Sequence, residues 1–311
     1  MAKVTSTSVS VVITVFNEQE SISELISALS AQTLSPKEII VVDGGSTDNT
    51  FQILQNLARK LPRLKVFQSR GNRSIGRNYG VSKSTSSIIA FTDAGCIPEK
   101  NWLKELIKPF SSPTTTVVSG YYSGLAKDDF QSCLIPYVLV MPDKAEKGEF
   151  FPSTRSMALR RAVWIQSGGF DSKLSHNEDY VYAHWLKKMG VTFTFAPKAI
   201  VGWQPRKNLA QAFWMFLRFA IGDAQAGIIR PKVKILITRY LVFCYLFFIG
   251  LQIKVVSYFV VGIMASYLFW SVSKNYKYVN KPAAILWLPV LQISSDLAVI
   301  FGTLMGLMTR T

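Results

Sequence analysis

Short apolar runs and amphipathic stretches alternate along the first ninety residues. Val9 to Val15 is a β-branched run of strand length, and Ile22, Leu25, Ile26 and Leu29 then recur at helical spacing. Glu38 to Val42 reads as a second buried strand. The polar turn Asp43-Gly44-Gly45-Ser46-Thr47-Asp48 follows, with Asp48 as the expected N-cap of a helix from Asn49 to about Lys60. Leu64 to Gln68 is a third strand, Gly76 to Val81 lies in a short helix, and Ser87 to Phe91 is a fourth strand. Strands alternating with helices imply crossover connections, hence an α/β fold with a mostly parallel sheet. A helix from Leu103 to Phe110 and a strand from Thr116 to Gly120 continue it, and the charged segment Met141 to Pro152 reads as a surface loop or lid.

The pattern changes near Lys207. Leu209 to Ile229 reads as an amphipathic helix suited to a membrane interface, and three apolar stretches follow: Ile235 to Leu251, Val255 to Val272 and Ala283 to Met308. The first two approach, and the third exceeds, the ~20 residues that a membrane-crossing helix needs. Arg239 sits near the start of the first, within snorkelling reach of the interface, and Asp296 inside the third is expected to face Arg239 or a polar cleft, with pairing inside the bundle the default. A mean hydropathy of +0.22 over 311 residues thus averages two regimes. The expected division is 1–207 for a soluble domain, 208–234 for the interfacial helix and linker, and 235–311 for about three spans.

Arg230, Lys232 and Lys234 precede the first span, and Lys274, Lys277 and Lys281 separate the second from the third. With an odd number of spans, both clusters and the N-terminal domain fall on one side, expected to be the cytoplasm. Met1 to Ser6 contains no apolar core of signal-peptide length, so export of that domain is not expected. The net charge of +16 fits anionic head groups and phosphorylated substrates better than nucleic acid, because the Lys and Arg are dispersed and several flank spans. Cys96, Cys133 and Cys244 have no metal-ligand spacing, and His176 and His184 cannot form a zinc site alone.

The candidate chemistry is acidic. No Gly-x-Gly-x-x-Gly follows the first strand and no Gly-Lys-Ser or Gly-Lys-Thr loop occurs, which weakens dehydrogenase and ATPase readings. Glu18, Asp43, Asp48 and Asp93 instead stand at successive strand ends, where open α/β sheets bind ligands. Taken singly, each fits a turn or a cap. Together they suit ribose hydroxyls, base N–H groups and a hard divalent cation.

The runs Val11 to Glu18 and Ile39 to Asp48, then Gly76-Arg77-Asn78-Tyr79-Gly80 and Phe91-Thr92-Asp93-Ala94-Gly95, resemble family 2 glycosyltransferases with the GT-A fold. The resemblance extends from Val9 to about Gly190 and reaches Gly168-Gly169-Phe170-Asp171 and the pair Glu178-Asp179. It implies that Val15, Asn17, Glu18 and Asp43 hold the nucleoside of a UDP- or GDP-sugar, and that Arg77 faces the diphosphate. It also implies that Asp93 binds Mg²⁺ or Mn²⁺, and that Glu178 and Asp179 form the catalytic pair, with Asp179 as base. Gly95 departs from the family's Asp-x-Asp pattern, so strict metal dependence stays open. Arg218, in a faint likeness to the Gln-x-x-Arg-Trp motif of processive synthases, is a further candidate for the diphosphate.

The expected protein is a membrane-anchored, inverting glycosyltransferase of cell-envelope glycan synthesis, acting on a hydroxyl of a lipid-linked or membrane-associated glycan acceptor. Two alternatives stay open: a polyprenyl-phosphate glycosyltransferase, and a non-catalytic membrane protein that binds nucleotide sugars.

Overall fold

The computed structural model describes residues 8–146, 150–174 and 176–309. The chain divides into two compact units, Met1–Leu125 with Met141–Gln204, and Ala126–Val140 with Pro205–Thr311.

The first unit is a mixed eight-stranded sheet flanked by helices. Its elements are β1 (Val9–Val15), α1 (Ile22–Ser30), β2 (Glu38–Asp43), α2 (Thr50–Lys60), β3 (Leu64–Gln68), α3 (Arg73–Lys83) and β4 (Ile88–Phe91). The second half adds β5 (Cys96–Pro98), α4 (Trp102–Ile107) and β6 (Val117–Gly124). One helix, α5 (Asp129–Val138), belongs to the other unit. The chain returns through α6 (Pro142–Ala145), β7 (Met157–Arg160), α7 (Arg161–Ser167), α8 (Glu178–Lys188) and β8 (Phe193–Trp203). Strand order is β3-β2-β1-β4-β7-β6-β8-β5.

The parallel sheet expected from the sequence occupies the first half, β3-β2-β1-β4, whose alternating βα units leave each strand only one way to pair. Beyond β4 the sheet is mixed: β7 is antiparallel to both β4 and β6, while β6 and β8 run parallel. Asp48 is not the N-cap itself, which is Asn49. Its Oδ1 nonetheless accepts from Thr50 N at 3.0 Å, one of the donors left open at the start of α2. Within the expected loop, α6 forms one helical turn, and residues 147–149 of that segment lie outside those described.

Helix α3 lies against β1 and β2 because two of its residues have no side chain. A Cβ on Gly76 would stand 2.8 Å from Thr14 Cγ2, and one on Gly80 would stand 2.6 Å from Val12 Cγ1. This close approach fixes where Arg77 emerges.

At the N-terminal edge of the strands, Glu38 is 2% exposed and accepts from Ser10 Oγ at 2.6 Å, Lys65 Nζ at 2.6 Å, and Thr85 N. Burial alone would raise its pKa, but Lys65, Ser10 and Thr85 outweigh it and hold the carboxyl at about 2, against an ordinary 4.5. Glu38 therefore contributes stability fully above pH 4.5, and this is lost as pH falls towards 2. Glu38→Gln is expected to be less stable at neutral pH and to show a flatter decline across that window, measured by urea unfolding at stepped pH.

The second unit joins α5 to α9 (Leu209–Gln225), α10 (Pro231–Gly250), α11 (Lys254–Val279) and α12 (Ala284–Met308). The last three are 20, 26 and 25 residues long with a mean hydropathy of 1.8 each, sufficient to cross a membrane. Buried residues make up 39% of the α12 apolar window but 6% of that in α10, so α12 is the inner helix. Phe130 meets Trp287 edge-on at 5.0 Å and Tyr137 Oη donates to Leu288 O at 2.7 Å, which seats α5 on α12.

Helix α9 packs on α12 through a small-residue seam. A Cβ on Gly302 would come within 2.5 Å of Leu217 O, and one on Gly306 within 2.6 Å of Ile221 O. Gly302→Val is expected to force the two helices apart and cost about 1–3 kcal/mol or more. Gly262→Val in α11 is the control, because no atom lies within 4 Å of a Cβ there. Thermal unfolding in detergent should separate the two variants, and equal midpoints would contradict the seam.

Candidate active site

The C-terminal edge of the parallel strands gathers most of the expected site. Val15 pairs with Asp43 in register, and Gly44 N donates to Val15 O at 2.9 Å. The Asp43 carboxylate is fully buried and accepts from Gly45 N and Ser46 N at 3.1 Å and from Gln68 Nε2 at 3.3 Å, so it organises the turn after β2. Asn17, at φ 55°, accepts from Thr47 N at 2.8 Å while its own N–H donates to Ser46 Oγ at 2.9 Å. Glu18 N donates to Thr50 Oγ1 at 2.7 Å, and its carboxylate accepts from Ser21 Oγ at 2.6 Å. These bonds lock the loop after β1 to the loop after β2.

One strand over, Val12 pairs with Phe91, so Asp93 emerges at the same edge. The antiparallel register of β4 with β7 pairs Phe91 with Met157. The residues just before β7 consequently run back past Asp93. Thr154 Oγ1 reaches Asp93 Oδ2 at 3.3 Å, while Thr154 N reaches Asp179 Oδ2 at 3.3 Å and Ser153 Oγ donates to the same oxygen at 2.8 Å. One residue thereby links Asp93 to Asp179.

Arg77 is 3% exposed and stands at the centre of the acids. Its Nη2 donates to Asp93 Oδ1 at 2.7 Å and its Nη1 to Glu178 Oε1, with the guanidinium 5.6 Å from the centre of the Phe170 ring. Burial alone would favour proton loss, but Asp93, Glu178 and Asp179 together hold the guanidinium charged. Burial likewise acts to raise the Asp93 pKa, and Arg77 and Arg155 outweigh it, keeping that carboxyl below the ordinary range. The Cys96 thiol nearby is pushed up to about 12 by burial and by Asp93, so it stays neutral.

The segment Gly168 to Leu174 sets α8 in place. Gly168 and Gly169 have φ of 79° and 77°, in the left-handed region. A Cβ on Gly169 would also lie 2.6 Å from Asn78 Oδ1. Asn78 accepts from Phe170 N at 2.9 Å and donates to Phe170 O at 2.7 Å, and Ser74 Oγ donates to Leu174 O at 3.0 Å. Helix α3 and the start of α8 are therefore tied together, which is why Arg77 meets Glu178. Ser175 lies outside the described residues.

Three contributors escaped the sequence reading: Asn78, Thr154 and Arg155. Asn78 lay inside a motif already singled out, and the polar run Ser153 to Ser156 before an apolar strand was the available signal for the others. The Arg155 guanidinium lies 5.4 Å from the Tyr122 ring centre and 5.7 Å from that of Trp203, with Asp179 and Asp93 among the charges that keep it protonated. Arg218 stands exposed on α9 in the second unit.

The donor set fits a cation that the protein holds only in part. Asp93 is 29% exposed, Glu178 Oε2 is buried with no hydrogen-bond partner, and Gly95 at φ 77° supplies no side chain. Among the described residues no three His, Cys, Asp or Glu gather as a closed cage. Such an edge suits a Mg²⁺-like ion that keeps waters and takes substrate phosphate oxygens.

Residues 10–164 match the model of glycosyl transferase family 2. The chain belongs to that family. It is 26% identical over 231 residues to glycosyltransferase AglE of Haloferax volcanii, covering 70% of this chain and 73% of that one. The succinoglycan biosynthesis protein ExoA of Rhizobium meliloti is 25% identical over 242 residues, covering 72% and 71%. The mannosyltransferase PcManGT of Pyrobaculum calidifontis, solved with GDP-Man and Mn²⁺, aligns over 94% of this chain and 87% of its own with a TM-score of 0.59 and 17% identity. This family 2 glycosyltransferase therefore has the GT-A fold and carries three long apolar helices in its C-terminal part.

Proposed function

We propose that the protein transfers a sugar, with inversion, from a UDP- or GDP-linked donor to a hydroxyl of a lipid-linked or membrane-associated acceptor. The observation that carries this reading is the bridge through Thr154, which couples a carboxylate suited to act as base, Asp179, to one suited to the diphosphate, Asp93. The acceptor hydroxyl loses its proton to Asp179 as its oxygen attacks the anomeric carbon. The bond from that carbon to the diphosphate breaks in the same step, and the negative charge passes to the leaving group. Arg77 holds Asp93 and Glu178 in place, and Arg155 is the cation beside the reacting groups. Glu178 acts by positioning Arg77. Val15, Asn17, Glu18 and Asp43 form the nucleoside end. Asp93 would hold Mg²⁺ or Mn²⁺, which supplies positive charge against the developing diphosphate. The mannosyltransferase complex with GDP-Man and Mn²⁺ supports this donor class.

The membrane reading divides the chain into a cytoplasmic catalytic part, 1–207, an interfacial part, 208–234, and a multi-pass anchor, 235–311. Its support is the length and hydropathy of α10, α11 and α12, together with the basic residues before α10 and between α11 and α12.

Thermal stabilisation of the purified chain by a panel of UDP- and GDP-sugars, with and without Mn²⁺, is the test. One nucleotide class should raise the midpoint, more so with Mn²⁺, and the stabilising sugar should then label a membrane lipid extract. No stabilisation by any nucleotide sugar would refute the reading. A labelled product that mild acid cleaves as a glycosyl phosphate would move the acceptor to a lipid phosphate.

A further inference from the structure

Arg155 is a fixed cation without a counter-ion. Its guanidinium lies between the Tyr122 ring, 5.4 Å away on β6, and the Trp203 ring, 5.7 Å away on β8, and both rings are buried. Tyr122 is itself stacked on Tyr121, so this wall of the slot does not swing. Such rings attract a cation but do not neutralise it. Among the described residues the guanidinium makes one hydrogen bond, a long one from Nη1 to Ser153 Oγ at 3.5 Å, and no carboxylate is in ion-pair contact with it. Arg77 is the contrast, because both of its Nη atoms are taken, by Asp93 and Glu178. Arg155 is half-buried, and its other N–H groups stay open to solvent. A planar guanidinium held in place with a free edge is suited to a phosphate.

The position of Arg155 says which phosphate. Thr154, the residue before it, reaches Asp93 Oδ2 at 3.3 Å. Trp203 pairs with Cys96 in the β5–β8 ladder, and Cys96 N donates to Asp93 O at 3.1 Å, closing the turn Asp93-Ala94-Gly95-Cys96. That turn is where Gly95 replaces the second acid of the Asp-x-Asp pattern. The turn that lacks a carboxylate for gripping a metal therefore has an unpaired cation beside it.

We propose that Arg155 binds the diphosphate of the donor directly, and that this contact holds the phosphates even when no divalent cation is present. The inference rests on the donor reading under Proposed function. As the bond to the anomeric carbon breaks, the charge gained by the leaving diphosphate falls beside a cation already in place. A metal at Asp93 adds to this contact and does not replace it.

Calorimetric titration of the full chain in detergent with UDP, GDP, uridine and guanosine, in EDTA and again with Mn²⁺, tests it. In EDTA one diphosphate should bind about tenfold or more tightly than its own nucleoside. Arg155→Met, which keeps an apolar stem between the two rings, should erase that preference. Arg155→Lys, which keeps a point charge, should retain part of it. The wild-type comparison decides the matter even where Arg155→Met fails to fold. Diphosphate binding that appears only with Mn²⁺, or a preference that Arg155→Met leaves unchanged, would overturn this proposal and leave the donor reading standing. No binding of either diphosphate under any condition would overturn both.

Discussion

Asp179→Asn is expected to lower sugar transfer by about two to four orders of magnitude while leaving donor binding near its original strength. The asymmetry follows from what the side chain touches. Asp179 Oδ2 accepts from Ser153 Oγ and Thr154 N, and an asparagine oxygen can take both bonds, so the bridge to Asp93 survives. What asparagine cannot do is accept the acceptor's proton. Rates of transfer beside calorimetric donor titration make the comparison. A variant that loses both together would mean that Asp179 holds the donor, and one that keeps its rate would remove it from the chemistry.

Arg77→Met should have the largest effect on folding. Arg77 is 3% exposed and is the shared partner of Asp93 and Glu178, so its loss leaves carboxylates facing one another with no cation between them. Breaking a buried pair in this way costs about 3–5 kcal/mol. Adding Glu178→Gln to Arg77→Met removes one of the stranded charges and should restore part of that loss, whereas independent sites would add. Chemical unfolding of the single and double variants measures the coupling. A double variant less stable than Arg77→Met by the full cost of Glu178→Gln would contradict the shared ion pair.

The parallel half of the sheet was legible because its signals are local. Strands β1, β2 and β3 coincide with apolar runs, and α1 with a helical period, so no distant residue is needed to recognise them. The antiparallel half was legible only in part: the expected strand Thr116 to Gly120 falls on β6, Val117–Gly124, but its pairing with β7 did not show. Strand β7 is four residues long and gains its identity only from pairing with β4 and β6, far away in sequence. The apolar face of α5 reads like any core helix, and nothing in it foretells packing with the C-terminal helices. The three long apolar helices were legible from hydropathy, yet α11 runs on to Val279 and α10 begins at Pro231, because lysines are tolerated in helix ends that the apolar windows exclude. Of the two partners open to Asp296, Arg239 or a polar cleft, the structure has Arg239 at 3.2 Å.

The site divides along the same line. Asp43 and Asp93 follow directly from strand ends, and α8 opens at Glu178 and Asp179. Thr154 and Asn78 are uncharged residues whose roles come from one antiparallel register and one left-handed glycine pair. Gly95 is the clearest case of a sequence departure with a backbone reason. Its φ of 77° is a conformation that side chains rarely adopt, although a Cβ there would meet nothing within 4 Å. The strained turn, rather than crowding, accounts for glycine at that position.

The central claim is a single displacement at the anomeric carbon by a hydroxyl that Asp179 deprotonates. The anomeric configuration of the first product, read by NMR from the coupling of its anomeric proton with the donor sugar as reference, tests that claim most directly. The account predicts a product of inverted configuration, formed by the wild type and absent with Asp179→Asn. A product that retains the donor's configuration would contradict it.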